Sequence, residues 1–135
     1  MAGTQTLDAT HVNTIPEGLY LAEVVHVTFE PVGYDGRPYL ELTFRIVEGP
    51  HAGRQLTRML DPVSPNSLAR TVYRLEITKL CRAANVAPPR NWTDPNSYGA
   101  LYGAPLFISV RRVTYADTTG AYVTINQVVD YTRKK

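Results

Sequence analysis

Arginines and aromatic residues recur near one another in several segments of this sequence. Aromatic rings present flat faces that stack on planar groups, and guanidinium groups bind phosphates and carboxylates through paired hydrogen bonds. Alternate side chains of a β-strand share one face, so strands can gather such residues on one surface. The candidate residues are Tyr34, Arg37, Tyr39, Arg45, Arg54, Arg58, Phe107, Arg111, Arg112, Tyr115 and Tyr122. Together they indicate a binding surface for a planar, anionic ligand.

Residue types that carry out catalysis do not form a motif in this sequence. No histidine has a second His or Cys at metal-ligand spacing; the three are His11, His26 and His51. The acidic residues that stand beside Gly or Pro are typical of turns. We find no phosphate-binding glycine loop and no nucleophile elbow. Cys81 lies within a helical pattern, where a small buried thiol is expected. We therefore predict a protein without catalytic residues, bound metal or cofactor.

The composition fits one domain with a core of its own. On folding, a chain of 135 residues can bury roughly two-thirds of the surface that the unfolded chain exposes, so its core does not require a disulfide or a structural metal. The single cysteine excludes an intramolecular disulfide, and there is neither an apolar run of about 18 residues nor a secretory signal. We therefore expect a cytoplasmic protein without a membrane span. All fourteen Lys and Arg residues lie in 37–135, so the fold can present a basic face.

The first two strands are predicted from their alternation. The alternation of apolar and polar residues is cleanest in the segment 38–48, and the side chains predicted to face inward are Leu40, Leu42, Phe44 and Ile46. A preceding strand over 17–32 is rich in Val, Tyr and Phe, but its alternation slips by one position. A β-bulge near Glu23 would reconcile its two halves.

The segment GRQLTRML, residues 53–60, predicts a third strand whose orientation stays open. Arg54, Leu56 and Arg58 share one parity, so neither side of the strand is cleanly apolar. Under one interpretation this parity faces outward and the two arginines flank a ligand. Under the other, a bulge after Gly53 turns Leu56 into the core and leaves one arginine on the outer face.

One helix is predicted after the third strand, followed by two more strands. The helix is expected to begin with Ser64 as N-cap and Pro65 in its first turn. Its apolar positions are Leu68, Val72, Leu75 and Leu80. The segments PLFISVRRV and AYVTINQVVDY predict strands over 105–113 and 121–131. In the last strand Val123 and Ile125 oppose the outward residues, which are Tyr122, Thr124 and Asn126.

Three strands, a helix and two strands, in that order, match the OB-fold, a five-stranded Greek-key barrel with a helix between strands three and four. Other small barrels share this order. We predict a mainly β, OB-like barrel over residues 15–131, with a flexible tail over 1–14 and a short basic tail over 132–135.

The candidate residues within that fold favour single-stranded nucleic acid as the ligand. OB-folds bind oligonucleotides or oligosaccharides with the loops after strands one and four and with the face of strands two and three. Stacking contributes roughly 1–3 kcal/mol per base whatever the base, so sequence-tolerant binding does not require a large net charge. The competing interpretation is that the tyrosines pair across strands and the arginines keep the surface soluble.

Several segments together resemble a known family: IPEGLYLAEVV, YLELTFRIVEGPHAGRQL, the helix end LCRAANV, and GAPLFISV followed by an Asn in the last strand. They are similar to a group of phage-encoded proteins, long catalogued as a domain of unknown function and associated with single-stranded-DNA binding. The similarity covers residues 15–131. It implies an OB-like barrel that coats transient single strands during phage replication and recombination, in the cytoplasm of a bacterial host. Many such binders end in an acidic tail that recruits partners, whereas this sequence ends in YTRKK.

Two other functions stay open on the sequence alone. An OB-like module that docks a replication or recombination protein of the phage or its host would bury the same aromatic residues against protein. A small metal-dependent nuclease would need carboxylates that converge from distant segments. A homodimer is compatible with each function.

Overall fold

The computed structural model describes residues 14–31 and 36–135. These residues form five β-strands, one α-helix and a short 3-10 helix. In chain order the elements are β1 (Gly18–Pro31), β2 (Pro38–Ile46), β3 (Gln55–Leu60), α1 (Ser67–Ala83), the 3-10 helix (Pro95–Leu101), β4 (Pro105–Ala116) and β5 (Tyr122–Thr132). The prediction of a mainly β domain with a helix between the third and fourth strands is confirmed. Tyr34 lies outside the described residues.

All five strands lie in one antiparallel sheet with the order β3-β2-β1-β4-β5. The pairing of β1 with β4 ends at Gly18, opposite Val110. From Arg111 onward, β4 is therefore paired with β5 alone. We call this two-stranded extension, residues 111–127, the arm. The edge strands β3 and β5 are not hydrogen-bonded neighbours, although some of their Cα atoms approach within 8 Å.

The core is built on the strand that the alternation identified best. The four predicted inward residues of β2 are at most 1% exposed. In β1 the register shifts between Val24 and His26, so Ala22 and Val24 face the core before the bulge and Phe29 after it. The bulge that the slipped alternation predicted near Glu23 is confirmed, one or two positions further along.

Arg58 of β3 lies on the same side as the core residues of that strand. Leu56 and Leu60 are buried on either side of it, whereas Met59 is 42% exposed on the opposite face. The register between β2 and β3 is continuous from Gln55 to Leu60. Just before it, the Gly53 N–H donates to the Ile46 carbonyl and the Ile46 N–H donates to the Arg54 carbonyl, so two residues oppose one, as in a β-bulge at Gly53. The interpretation with a bulge and with Leu56 in the core is confirmed. The predicted outward orientation of Arg58 is therefore wrong, because this side chain turns inward to a carboxylate of α1.

Helix α1 begins later than predicted and packs through a different side. Asn66, not Ser64, is the N-cap, and its Oδ1 accepts a hydrogen bond from the Ala69 amide at 2.9 Å. Leu80 is buried, as expected, together with Ile77, Cys81 and Ala83. The other three apolar positions, Leu68, Val72 and Leu75, are exposed, because the sheet contacts the opposite side of the helix.

The two last strands differ in how well their orientation was predicted. In β4, Leu106, Ile108 and Val110 are buried, as their alternation indicates. In β5, Thr124 and Val128 are buried and Ile125 is 41% exposed, so the predicted orientation is reversed. Tyr122 therefore shares the face of Thr124 rather than the outer face. No helix in the described ranges is long and apolar enough to span a membrane.

Candidate nucleic-acid interface

The six candidate arginines divide into two groups by their partners. Three of them donate to carboxylates, in the pairs Arg37–Asp61, Arg45–Glu23 and Arg58–Glu76. The other three make no ion pair within the described part of the chain, and they are Arg54, Arg111 and Arg112. An arginine without an acidic partner can bind a phosphate without first losing an internal salt bridge.

Arg37 and Tyr39 are bound to each other and to the end of β3. One guanidinium nitrogen of Arg37 donates to Asp61 Oδ2 at 2.7 Å, and the other donates to the Tyr39 hydroxyl at 2.6 Å. The guanidinium carbon also lies 5.2 Å from the centroid of the Tyr39 ring. Asp61 is only 6% exposed. These contacts hold the chain leaving the β1–β2 connection against the sheet, so they explain Arg37 and Tyr39 without a ligand.

The outer face of β1 and β2 is balanced in charge rather than basic. Arg45 donates to Glu23 across the two strands. Further along the same two strands, His26 Nε2 lies 3.3 Å from Glu41 Oε1. Two acids thus share this surface with one arginine and one histidine, which weakens its attraction for a polyanion.

Arg58 belongs to a partly buried network between the sheet and α1. Its Nε and one terminal nitrogen donate to the two carboxylate oxygens of Glu76 at 2.9 and 2.7 Å. The Tyr131 hydroxyl donates to the same carboxylate at 2.6 Å. Hydrogen bonding to Glu76 raises the pKa of the Arg58 guanidinium, and burial, with the Glu76 charge, raises the pKa of Tyr131. The network therefore holds α1 against the sheet, and this role accounts for Arg58 without a ligand.

The arm brings four of the candidate residues together on an exposed ribbon. Arg111 and Arg112 are consecutive residues of β4, so their side chains lie on opposite faces. Tyr115 and Tyr122, which are 47% and 73% exposed, likewise lie on opposite faces. Each face of the arm therefore offers one arginine and one tyrosine.

Arg54 adjoins the arm face that carries Arg112 and Tyr122. A cavity of about 220 Å³ lies between the start of β3 and the middle of β5. Its lining residues are Thr14, Arg54, Leu56, Thr124, Ile125 and Asn126. Arg112 is paired with Asn126 across the strands, and its backbone N–H donates to Glu17 Oε2 at 2.9 Å. Arg54 and Arg112 thus flank one groove with both polar and apolar lining residues, which we call the arm groove.

Phe107 lies on the other face, in line with Arg111 and Tyr115 of the same strand. It is half-buried and lines a cavity of about 350 Å³ with Leu19, Leu21 and the β2–β3 turn. Each member of this line lies four positions along the strand from the next, which corresponds to about 13 Å. A flexible single strand of nucleic acid can follow such a line, because its bases need only occasional aromatic contacts.

Polar residues of β5 are the part of the arm groove that the sequence did not identify. Asn126 Oδ1 accepts from the Ile15 amide at 2.8 Å, and its Nδ2 donates to the Ile15 carbonyl at 2.9 Å. Thr124 is buried beside it and shares a hydrogen bond of 2.8 Å with Thr114. Asn126 was predicted only as an outward residue of the last strand and through the family resemblance, and no local pattern indicates that it binds the segment before β1.

The described residues contain no group of three or more His, Cys, Asp and Glu side chains placed to hold a metal ion. Comparison with models of known protein families finds no match, and comparison with curated proteins finds none either.

Proposed function

We propose that this protein binds single-stranded DNA without catalysis and with little sequence preference, and that the arm and Arg54 form the contact surface. The observation that carries the proposal is the grouping of three arginines whose side chains make no ion pair within the described residues with two exposed tyrosines. Cations beside stackable rings are what a sequence-tolerant single-strand site requires.

The architecture supports the same proposal. We infer that the sheet is an OB-like barrel in which β3 and β5 meet, because the strand order, the helix between β3 and β4 and the approach of the two edges suit that topology. The loop between strands four and five is one of the two binding loops of OB-folds, and here it forms the tip of the arm. The resemblance to phage single-strand binders supports a role in phage replication or recombination as part of this proposal.

The expected energetics follow from the residues of the surface. If Arg54, Arg111 and Arg112 each neutralise one phosphate, log Kd should change with log salt with a slope of about 2 in magnitude, at ~0.7 per phosphate. Two stacked tyrosines add roughly 2–6 kcal/mol that depends little on salt. Binding should therefore weaken with salt but persist at physiological ionic strength.

The test is a binding curve for a fluorescent oligothymidylate of ~30 nucleotides, longer than the 4–16 nucleotides that one OB-fold covers. Anisotropy is measured at two salt concentrations for the wild type and for Arg111→Ala, Arg112→Ala and Arg54→Ala. We expect each variant to bind several-fold more weakly and with a smaller salt slope. Tyr115→Ala and Tyr122→Ala should weaken binding with the slope unchanged.

Arg90→Ala is the matched control, because it removes one exposed positive charge outside the arm. It should bind like the wild type. A wild type that shows no binding at low salt would end the proposal. Equal losses for Arg90→Ala and the arm variants would show that net charge, not this surface, determines affinity.

A further inference from the structure

The outward side of α1 carries a line of exposed apolar side chains. Leu68, Val72 and Leu75 are 73%, 54% and 65% exposed. Their spacing of four and three residues places them above one another on a single side of the helix. Ile77 and Cys81, which face the core, lie on the opposite side. An exposed apolar line on an otherwise well-packed helix is typical of an interaction surface.

A groove runs beside this line. It has a volume of about 530 Å³, and its lining residues are Arg58, Asn66, Leu68, Ala69, Val72 and Tyr73. The groove therefore offers a place for side chains of a partner next to the exposed leucines. We call the three apolar residues and this groove the α1 surface.

The same side of the helix becomes cationic in its second half. Lys79 and Arg82 continue the spacing of four and three residues beyond Leu75. They line a second groove of about 400 Å³ together with Arg133. Lys79 is 60% exposed although Asp130 is its ion-pair partner. One side of α1 is thus apolar from Leu68 to Leu75 and positively charged at Lys79 and Arg82, near its end.

The charges on α1 decide which kind of partner fits. The helix contains four Lys and Arg residues and a single acid, Glu76. That acid is turned inward and accepts hydrogen bonds from Arg58 and Tyr131. Two copies of this chain that met through α1 would bring cations together without a carboxylate of the helix between them. An acidic partner avoids this repulsion and neutralises Lys79 and Arg82.

We propose that the α1 surface docks an amphipathic, acidic helical segment of another protein. Apolar side chains of that segment, spaced by three and four residues, pack on Leu68, Val72 and Leu75, and its carboxylates bind Lys79 and Arg82. The contact is small, so an affinity in the micromolar range is expected. The proposal does not depend on DNA binding, since none of its residues belongs to the arm.

Labelled synthetic peptides of about four helical turns test this docking. One pair of peptides has leucines at helical spacing in one half and glutamates in the other, in either order along the peptide. A second pair has lysines in place of the glutamates. We expect a glutamate peptide to bind the wild type and each lysine peptide to bind at least tenfold more weakly.

Two double variants locate the site. Leu68→Ser with Leu75→Ser, and Lys79→Glu with Arg82→Glu, should each weaken binding of the glutamate peptide at least tenfold. Leu19→Ser removes another leucine, 56% exposed, outside α1 and should have no effect. Oligothymidylate should bind the leucine double variant like the wild type. Loss of the peptide with retention of DNA separates this proposal from the DNA-binding one.

Several results would overturn the docking. The first is the absence of glutamate-peptide binding at millimolar concentration, and the second is equal binding of the lysine peptides. A dimer in sedimentation that the leucine double variant dissolves would assign the surface to a second copy. Displacement of the peptide by oligothymidylate would assign it to nucleic acid.

Discussion

Replacement of Arg58 by alanine is expected to destabilise the fold and to leave the arm intact. Arg58 and Glu76 are 23% and 19% exposed, and they form a bidentate pair. Without the guanidinium, the Glu76 carboxylate stays mostly buried, with the Tyr131 hydroxyl as its main remaining donor. A half-satisfied buried charge costs more than either a complete pair or an apolar replacement.

The magnitude follows from the burial of the pair. Removal of one partner of a fully buried pair costs roughly 3–5 kcal/mol, and about a fifth of each side chain is in solvent here, so we expect about 3 kcal/mol. With a urea m-value of ~2 kcal/mol/M, the unfolding midpoint should fall by about 1.5 M. Folded Arg58→Ala should bind oligothymidylate with wild-type affinity.

The matched control replaces both partners with apolar residues. Arg58→Met combined with Glu76→Leu should recover most of the lost stability, because no charge is then left unpaired. Urea unfolding followed by circular dichroism measures both variants. A loss below about 1 kcal/mol for Arg58→Ala, or a weakened DNA affinity of the folded variant, would refute the assignment of Arg58 to the core side of the sheet.

Three further predictions concern stability. Asn126→Ala should cost about 2 kcal/mol, because the Ile15 N–H and C=O both lose their hydrogen bonds, and the Ile15 amide should exchange faster with solvent. Gly120→Ala should cost about 1 kcal/mol by urea unfolding, since Gly120 has a φ of +86° and open space around its Cβ position; Gly99→Ala, with equal space and no positive φ, should be neutral. Burial raises the pKa of Cys81 from 9.0 to about 11, so the thiol should resist alkylation at pH 8 until the protein unfolds. Because the folded protein holds the Cys81 thiol proton more tightly than the unfolded chain does, this proton contributes to the free energy of unfolding. That contribution is complete below pH 9 and is lost between pH 9 and 11. The Cys81→Ala variant should therefore lose less stability than the wild type over that pH interval.

Local patterns were sufficient where one side of an element is wholly buried. The alternation in β2 predicted its four core residues because its other side consists of polar and aromatic residues that tolerate solvent. The slipped alternation in β1 predicted the bulge for the same reason. In both strands the chain itself distinguishes the core side from the solvent side.

Local patterns failed where the deciding partner is distant in sequence. The orientation of Arg58 depends on Glu76, which lies 18 positions further along. Helix α1 has apolar residues on two opposite sides, so its periodicity indicated a helix without showing which side meets the sheet. The candidate arginines were identified by residue type, but their division into paired and unpaired groups depends on acids from other strands and from α1.

The hydrogen bonds between Asn126 and Ile15 also affect the order of events during synthesis on the ribosome. These residues are 111 positions apart. At 5–20 residues per second, roughly 5–20 s separate the addition of Ile15 from that of Asn126. Until then the segment before β1 cannot form these contacts. Until residues 105–110 have been added, β1 also lacks its β4 partner, so the nascent chain exposes an incomplete sheet edge. In that interval the exposed edge of the nascent sheet is a binding site for a chaperone that recognises extended chains.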